Sequence, residues 1–165
     1  MLKISNLIII VFSFFCIQIL HAESFVDEII IKKSERKMYV VIDGQISYTF
    51  NIALGKNPIG HKRFEGDKKT PEGTYFIDSK IDDSYFFRSL HLSYPNIRDK
   101  KYAEGYGKSA GSNITIHGTP NSLRDYSRHL FDGADWTNGC IAINNNQLRK
   151  LWKITRLNTP VTIQP

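Results

Sequence analysis

The alternation of apolar and polar residues around Asp43-Gly44 constrains the fold of this 165-residue chain more than any other feature. Residues 38–42 are rich in β-branched and aromatic side chains, and Asp-Gly is a strong signal for a two-residue hairpin turn. In the segment that follows, every second residue is apolar: Ile46, Tyr48, Phe50 and Ile52. A period of two predicts a half-buried antiparallel strand with these four side chains on its inner face.

The rest of the chain predicts a mainly β domain. Further short strands are expected at Val26–Ile31, Thr74–Ile77, Phe86–Leu92, Ile114–Ile116 and Val161–Ile163. Residues 93–111 are rich in Tyr, Gly and charged side chains, and we expect them to be irregular. This order of elements favours a sandwich or a barrel-like core.

One helix is well marked near the C-terminus. Four residues recur on one face of a helical period: Leu148, Leu151, Trp152 and Thr155. Asn144 or Asn145 is a suitable N-cap, and Pro160 is expected to stop the helix. A second, shorter helix is predicted over Ser122–Leu130.

The N-terminus predicts a secretory signal over residues 1–22 and a mature domain over residues 24–165. Lys3 precedes an apolar run from Leu7 to Leu20, which ends near the small residue Ala22. We therefore expect export to the periplasm or cell envelope. An uncleaved membrane anchor is the alternative, because Leu20 is large for its place before the cut.

The charge of the chain favours anionic surroundings. The sequence has 22 basic and 16 acidic residues, and the predicted signal removes only Lys3, so the mature part carries 21 − 16 = +5. Such a balance suits envelope polymers or a membrane surface. The charges are scattered and form no basic helix, so we expect no nucleic-acid partner.

Cys140 is the candidate nucleophile. Loss of the signal removes Cys16 and leaves Cys140 as the single thiol in an oxidising compartment, where cysteines are normally paired. A buried, inert cysteine is the alternative. However, Trp136-Thr137-Asn138-Gly139-Cys140 is typical of a turn, and Gly139 allows close approach of a substrate to the backbone. The predicted helix start just beyond this turn would favour a thiolate.

His117 is the candidate base. It ends a predicted strand and is followed by Gly118, an arrangement that projects a side chain into a cleft. An imidazole near Cys140 would accept the thiol proton and later return it. The other histidines, His61, His91 and His129, are weaker candidates. No HExxH or CxxC spacing is present, so we expect no metal.

Three motifs in order resemble those of the L,D-transpeptidase (YkuD-domain) family. They are Gly66-Asp67-Lys68-Lys69-Thr70-Pro71-Glu72-Gly73, then Ile116-His117-Gly118-Thr119, then Asp135-Trp136-Thr137-Asn138-Gly139-Cys140-Ile141. The resemblance covers roughly residues 26–163. It implies a mainly β fold, a β-sandwich of mixed sheets with one or two helices.

The resemblance also implies the chemistry. Cys140 would attack the L-centre carbonyl of the third residue of a peptidoglycan stem tetrapeptide and release D-alanine, and His117 would move the proton. The thioester would pass to an amine, giving a 3-3 cross-link or attachment of a wall protein. Metal and organic cofactors are not required, and carbapenem-type inhibitors are expected to acylate the thiol. Substrate or oxyanion contacts are expected from the residues around the pair: Gly139, Asn138, Thr137, Gly118 and Trp136.

The sequence departs from the family pattern at two positions. Asn138 stands where the family often has His, and Ala142 stands where it often has Arg. Three arginines are possible substitutes: Arg88, Arg124 and Arg128. These departures leave open whether water is the acceptor, as in an L,D-carboxypeptidase or endopeptidase. A non-catalytic protein that binds wall peptides is a further alternative.

Some residues of the motifs and of the irregular segment have simpler interpretations. Lys69, Thr70 and Glu72 are expected to fix a loop. Tyr102 and Tyr106 are expected to be surface residues.

Overall fold

The computed structural model describes residues 24–122 and 134–165, and these residues form mainly β-strands. Eight strands and two helices are present in the described part of the chain. In chain order they are β1 (Glu28–Lys32), β2 (Lys37–Ile42), β3 (Gln45–Asn51), β4 (Gly73–Ser84), β5 (Phe87–Leu92), α1 (Ile97–Gly105), β6 (Thr115–His117), β7 (Ile141–Ala142), α2 (Asn145–Ile154) and β8 (Pro160–Gln164). No helix of this part is long and apolar enough to cross a membrane. The predicted signal over residues 1–22 lies outside the described residues, as does most of the helix predicted from Ser122 to Leu130.

The strands form one curled sheet in the order β3-β2-β1-β8-β4-β5-β6-β7. The β1–β8 and β6–β7 pairs are parallel, and the other pairs are antiparallel. Ala53, just beyond β3, exchanges two backbone hydrogen bonds with Ala142 of β7, at 2.9 and 2.8 Å. These bonds bring the two ends of the strand order together around an apolar core, and the mainly β fold with mixed strand directions is confirmed.

The predicted hairpin is present, but its tip extends beyond the core and is exposed to solvent. Phe50 and Ile52 are buried as expected, whereas Ile46 is 60% exposed. The pairing register shifts between Val40 and Val41, and the residues from Asp43 to Ser47 beyond that shift are exposed. The prediction that all four alternating residues face inward is therefore wrong at Ile46, because the alternation continues past the point where the core ends.

Helix α2 forms for the reasons that the sequence indicates. The Asn144 side chain accepts from the backbone N–H of Gln147 and the Gln147 side chain accepts from that of Asn144, a capping box. Leu148 and Leu151 are fully buried on the inner face. Pro160 does not stop this helix, because the helix has already ended at Ile154; Pro160 instead begins β8.

Helix α1 lies inside the segment 93–111, so the expectation of irregular structure is wrong for residues 97–105. Its N-terminus has a capping box formed by Asn96 and Asp99. In this helix only Asp99 and Ala103 are buried. The sequence therefore carries no apolar stripe by which the helix could be recognised.

Candidate active site

Strands β6 and β7 bring the two candidate residues onto one face of the sheet. Ile116 pairs with Ile141 and His117 with Ala142 in parallel register, and Cys140 directly precedes β7. Because side chains alternate along a strand, Cys140 lies on the same face as Thr115 and His117. The Thr115 hydroxyl donates to Cys140 Sγ at 3.6 Å, which agrees with this placement. His117 is the next residue on that face.

His117 is a buried, neutral imidazole. Its side chain lies against the rings of Phe86 and Trp136, with centroid distances of 4.3 and 5.6 Å, and the residue is 2% exposed. Burial lowers the pKa of His117 to about 4, an effect that the hydrogen bond to Gly118 only partly opposes. Above that pH the ring carries no charge and one of its nitrogens has a free lone pair.

The Gly118 carbonyl decides which nitrogen has the lone pair. Nδ1 of His117 lies 2.7 Å from the Gly118 oxygen. A carbonyl only accepts hydrogen bonds, so Nδ1 carries the hydrogen and Nε2 is left as the basic atom. This arrangement suits a general base.

The thiol of Cys140 is partly exposed and makes two hydrogen bonds. Sγ donates to the Asn113 carbonyl at 3.5 Å and accepts from Thr115. Within residues 24–122 and 134–165, no hydrogen bond joins the thiol to His117. Cys140 is the free cysteine of the described residues.

The turn before Cys140 is held by a side-chain hydroxyl. Thr137 Oγ1 donates to the Cys140 carbonyl at 2.7 Å and accepts from the Gly139 N–H at 3.1 Å. Gly139 has φ +132°, and a Cβ on it would lie 2.7 Å from the Lys69 carbonyl oxygen, so no other residue fits. Since the Gly139 N–H is already used, the Cys140 N–H is the candidate oxyanion donor of these two amides.

An ion pair anchors this turn to the opposite edge of the curled sheet. Arg36 Nη2 lies 2.7 Å from Asp135 Oδ2, and Asp135 Oδ1 accepts from the Leu54 N–H at 2.9 Å. Gly55 packs so closely that a Cβ there would lie 3.0 Å from Gly139 Cα. Arg36 is not among the residues expected at the site, because it lies 99 residues before Asp135 and no local pattern marks such a pair.

The motif of residues 66–73 supports the same turn through Gly55. Thr70 Oγ1 accepts from the Gly55 N–H at 3.1 Å. Lys33, which is 3% exposed, donates to the Thr70 carbonyl at 3.1 Å and to Glu72 at 2.8 Å. Burial lowers the pKa of Lys33, and the Glu72 carboxylate partly opposes this effect. Lys69 donates to the Ile59 carbonyl, so the motif fixes a loop, as expected.

The start of α2 contacts the histidine motif rather than the thiol. Asn145 Oδ1 accepts from the Thr119 N–H at 2.9 Å, and a Cβ on Gly118 would lie 2.2 Å from that oxygen. The Ile143 N–H donates to the His117 carbonyl at 2.9 Å. We expected the start of this helix to stabilise the thiolate of Cys140. Its contacts are instead with the histidine motif, so it positions His117.

The weaker histidine candidates lie in other environments. His61 accepts from the Glu72 N–H and lies 3.0 Å from Asp99. His91 lies 2.6 Å from Asp78 on β4. His129 lies outside the described residues. Among the described residues, no group of three His, Cys, Asp or Glu side chains is placed to hold a metal ion.

Arg88, one of the three possible replacements for the family arginine, does not line the depression at Cys140. Ala142 is fully buried, and its backbone is hydrogen-bonded to Ala53. A long side chain such as arginine therefore has no room at position 142. Arg88 pairs with Asp82 and lies over the ring of Trp152. Arg124 and Arg128 lie outside the described residues.

Cys140 opens onto a depression of about 440 Å³. Asn138 lines it and is exposed, as its expected role in substrate contact requires. The wall also includes Lys68 and Glu65, whereas the Lys62 ammonium is buried and lies 2.8 Å from Asp67. Tyr102 and Tyr106 pack against Phe64 outside this depression.

Comparison with known proteins finds a matching family and several similar structures. The L,D-transpeptidase catalytic domain (YkuD) model matches residues 27–163. The helical cell shape determining protein Pgp2 of Campylobacter jejuni has a similar structure, at 28% identity and a TM-score of 0.59 over 86% of this chain and 50% of its own. Bd1075 of Bdellovibrio bacteriovorus is 27% identical, with a TM-score of 0.57 over 84% of this chain and 48% of its own. LD transpeptidase LdtMt1 in complex with imipenem is 15% identical (TM-score 0.55, 85% and 59% covered) and shares the fold. The chain thus spans about half the length of the first two.

Proposed function

This chain belongs to the L,D-transpeptidase catalytic-domain family, and we propose that it is an exported cysteine acyltransferase that modifies peptidoglycan. The observation that carries the proposal is the buried, neutral His117 on the same face as the Cys140 thiol, with Nε2 as its free basic atom. A thiol and a base so placed are the requirements of acyl transfer through a thioester.

The first half-reaction acylates Cys140. His117 Nε2 takes the proton from Sγ, and the thiolate attacks the L-centre carbonyl of the third stem residue. The C–N bond to the terminal D-alanine breaks, and the leaving amine takes the proton from the imidazolium. Because burial disfavours the charged ring, the imidazolium gives up this proton readily.

The second half-reaction releases the acyl group. An acceptor amine attacks the thioester, His117 takes its proton, and Sγ leaves and regains a proton from the ring. The product is a 3-3 cross-link, or a wall protein joined to the stem peptide. With water as nucleophile the same steps give a tripeptide, which is the carboxypeptidase outcome.

Two hydrogen-bond donors stabilise the charges that develop. The Thr115 hydroxyl already donates to Sγ at 3.6 Å and continues to do so when the sulfur is a thiolate. The Cys140 N–H is the candidate donor for the oxyanion of the tetrahedral intermediate. Thr137 holds that amide in place through the Cys140 carbonyl.

The proposal is tested by incubating the purified protein with disaccharide-tetrapeptides and identifying the products by mass spectrometry. Dimers with release of D-alanine support transfer, and tripeptides alone support hydrolysis. Cys140→Ala should abolish both products, and His117→Gln should lower the rate by about 10² to 10⁴, the usual range for loss of a general base. His91→Gln changes an imidazole that pairs with Asp78 and lies opposite Thr115 in the β5–β6 register, and it is the matched histidine control. Normal product from Cys140→Ala would overturn the mechanism.

Imipenem provides a second test that needs no acceptor. We expect the intact mass to increase by one covalent adduct on Cys140 and to stay unchanged in Cys140→Ala. A role in cell shape, by analogy with the helical cell shape determining protein Pgp2, follows from the same activity. It is tested by microscopy of a deletion strain complemented with the Cys140→Ala variant.

A further inference from the structure

The depression at Cys140 is one end of a longer trough. It shares Glu65, Gly111 and Ser112 with a second depression of about 430 Å³. The second shares Pro95 and Lys100 with a third, larger one of about 1120 Å³. These shared residues place the three depressions side by side along the surface, from the thiol to helix α1, and we name this row the trough. A ligand that lies along it would extend well beyond the scissile bond.

The far end of the trough carries three cationic side chains: Arg63, Arg98 and Lys100. Arg98 and Lys100 lie exposed on α1 and have no acidic partner among the described residues. The Arg63 guanidinium lies 4.3 Å from the centroid of the Tyr102 ring, which positions it without neutralising its charge.

The acidic residues of the far end are already paired. Glu72 lies 2.8 Å from the buried ammonium of Lys33. Asp99 lies 3.0 Å from His61 and accepts from the Tyr75 hydroxyl at 3.0 Å. These pairings leave Arg63, Arg98 and Lys100, which we name the far-end cations, without an acidic partner in the far depression; Glu65 and Glu104 line the adjoining depression beside Lys100.

We infer that the far-end cations bind carboxylates of a peptidoglycan stem peptide remote from the one that reacts with Cys140. The inference rests on the proposed function. The trough joins the two sites, and the far-end charge is complementary to a polymer that presents carboxylates at intervals. The cluster thus serves to hold polymeric wall and not the small acyl donor.

The test measures binding without catalysis. Arg98→Gln/Lys100→Gln is placed in the Cys140→Ala background, and co-sedimentation with purified sacculi free of phosphate polymers gives the dissociation constant. Because the double variant loses two solvent-screened charge contacts, we expect its dissociation constant to rise roughly tenfold. The matched control is Lys101→Gln/Lys153→Gln, which removes the same charge from exposed side chains that do not line the trough.

Each outcome decides the inference. An equal loss in the control pair would show that only net charge matters and would overturn it. Undiminished binding to glycan strands stripped of stem peptides by an amidase would overturn the ligand class. With Cys140 intact, the far-end variant should keep the wild-type rate on free tetrapeptide and lose rate on sacculi. If neither the wild type nor the Arg98→Gln/Lys100→Gln variant forms product, the proposed function is refuted. The sedimentation assay, which needs no catalysis, still decides whether the far-end cations bind stem peptides.

Discussion

Replacing His117 tests whether the base is held neutral by burial. The ordinary pKa of a histidine is 6.5, and burial lowers that of His117 to about 4. Between these values the unfolded chain binds a proton that the folded chain does not, so stability is full above pH 6.5 and falls as pH drops toward 4. The interval of 2.5, at 1.36 kcal/mol for each pH unit, corresponds to about 3 kcal/mol.

His117→Gln removes this dependence, because an amide does not titrate and still donates to the Gly118 carbonyl. We expect the wild type to lose about 3 kcal/mol more unfolding free energy than His117→Gln between pH 7 and pH 4. The measurement is urea denaturation followed by circular dichroism at a series of pH values. Other titrating groups cancel in the difference between the two proteins.

Cys140→Ala is the control for this experiment, since it alters the site but keeps the buried imidazole. It should retain the wild-type pH dependence. If His117→Gln falls in stability as steeply as the wild type, then the ring is charged in the folded protein or is open to water. Either result would refute a base held neutral by burial.

Three further changes test the supports of the thiol. Thr115→Val should slow alkylation of Cys140 by iodoacetamide at pH 7 about tenfold, whereas Thr115→Ser should not, because only the first removes the hydrogen bond to sulfur. Thr137→Val leaves two backbone groups of the turn without a partner and should cost about 2 kcal/mol in urea denaturation; a change below about 0.5 kcal/mol, the effect of a surface substitution, would contradict this. Gly55→Ala should cost about 1–3 kcal/mol by overpacking and also slow alkylation, while Gly105→Ala, with open space around its Cβ, should do neither.

Local patterns are enough where a short segment decides its own structure. The Asp43-Gly44 hairpin and helix α2 are predictable from turn chemistry, alternation and a capping residue, all of which act within a few residues. The same reasoning fails at Ile46, where alternation continues beyond the core. It also fails at α1, whose side chains are mostly exposed.

The candidate site is predictable in its chemistry but not in its construction. Cys140 and His117 are recognisable from their motifs, and the Thr137 hydroxyl is a natural support for the turn that it holds. Arg36 and Asp135 are not recognisable as a pair, because their contact exists only once the two edges of the sheet meet. The association of α2 with the histidine motif is hidden from the sequence for the same reason.

By itself the sequence predicted the hairpin and helix α2, the single thiol that remains after the predicted signal, and the two residues that we propose carry the chemistry. Turn propensity, alternation and reactive groups are properties of single residues and their near neighbours. Only the tertiary structure decided that His117 is buried between Phe86 and Trp136, and is therefore neutral, and that the thiol bonds to Thr115 and Asn113. Burial and pKa depend on what distant segments pack around a group, and that packing arises when β6 and β7 come together in the closed sheet.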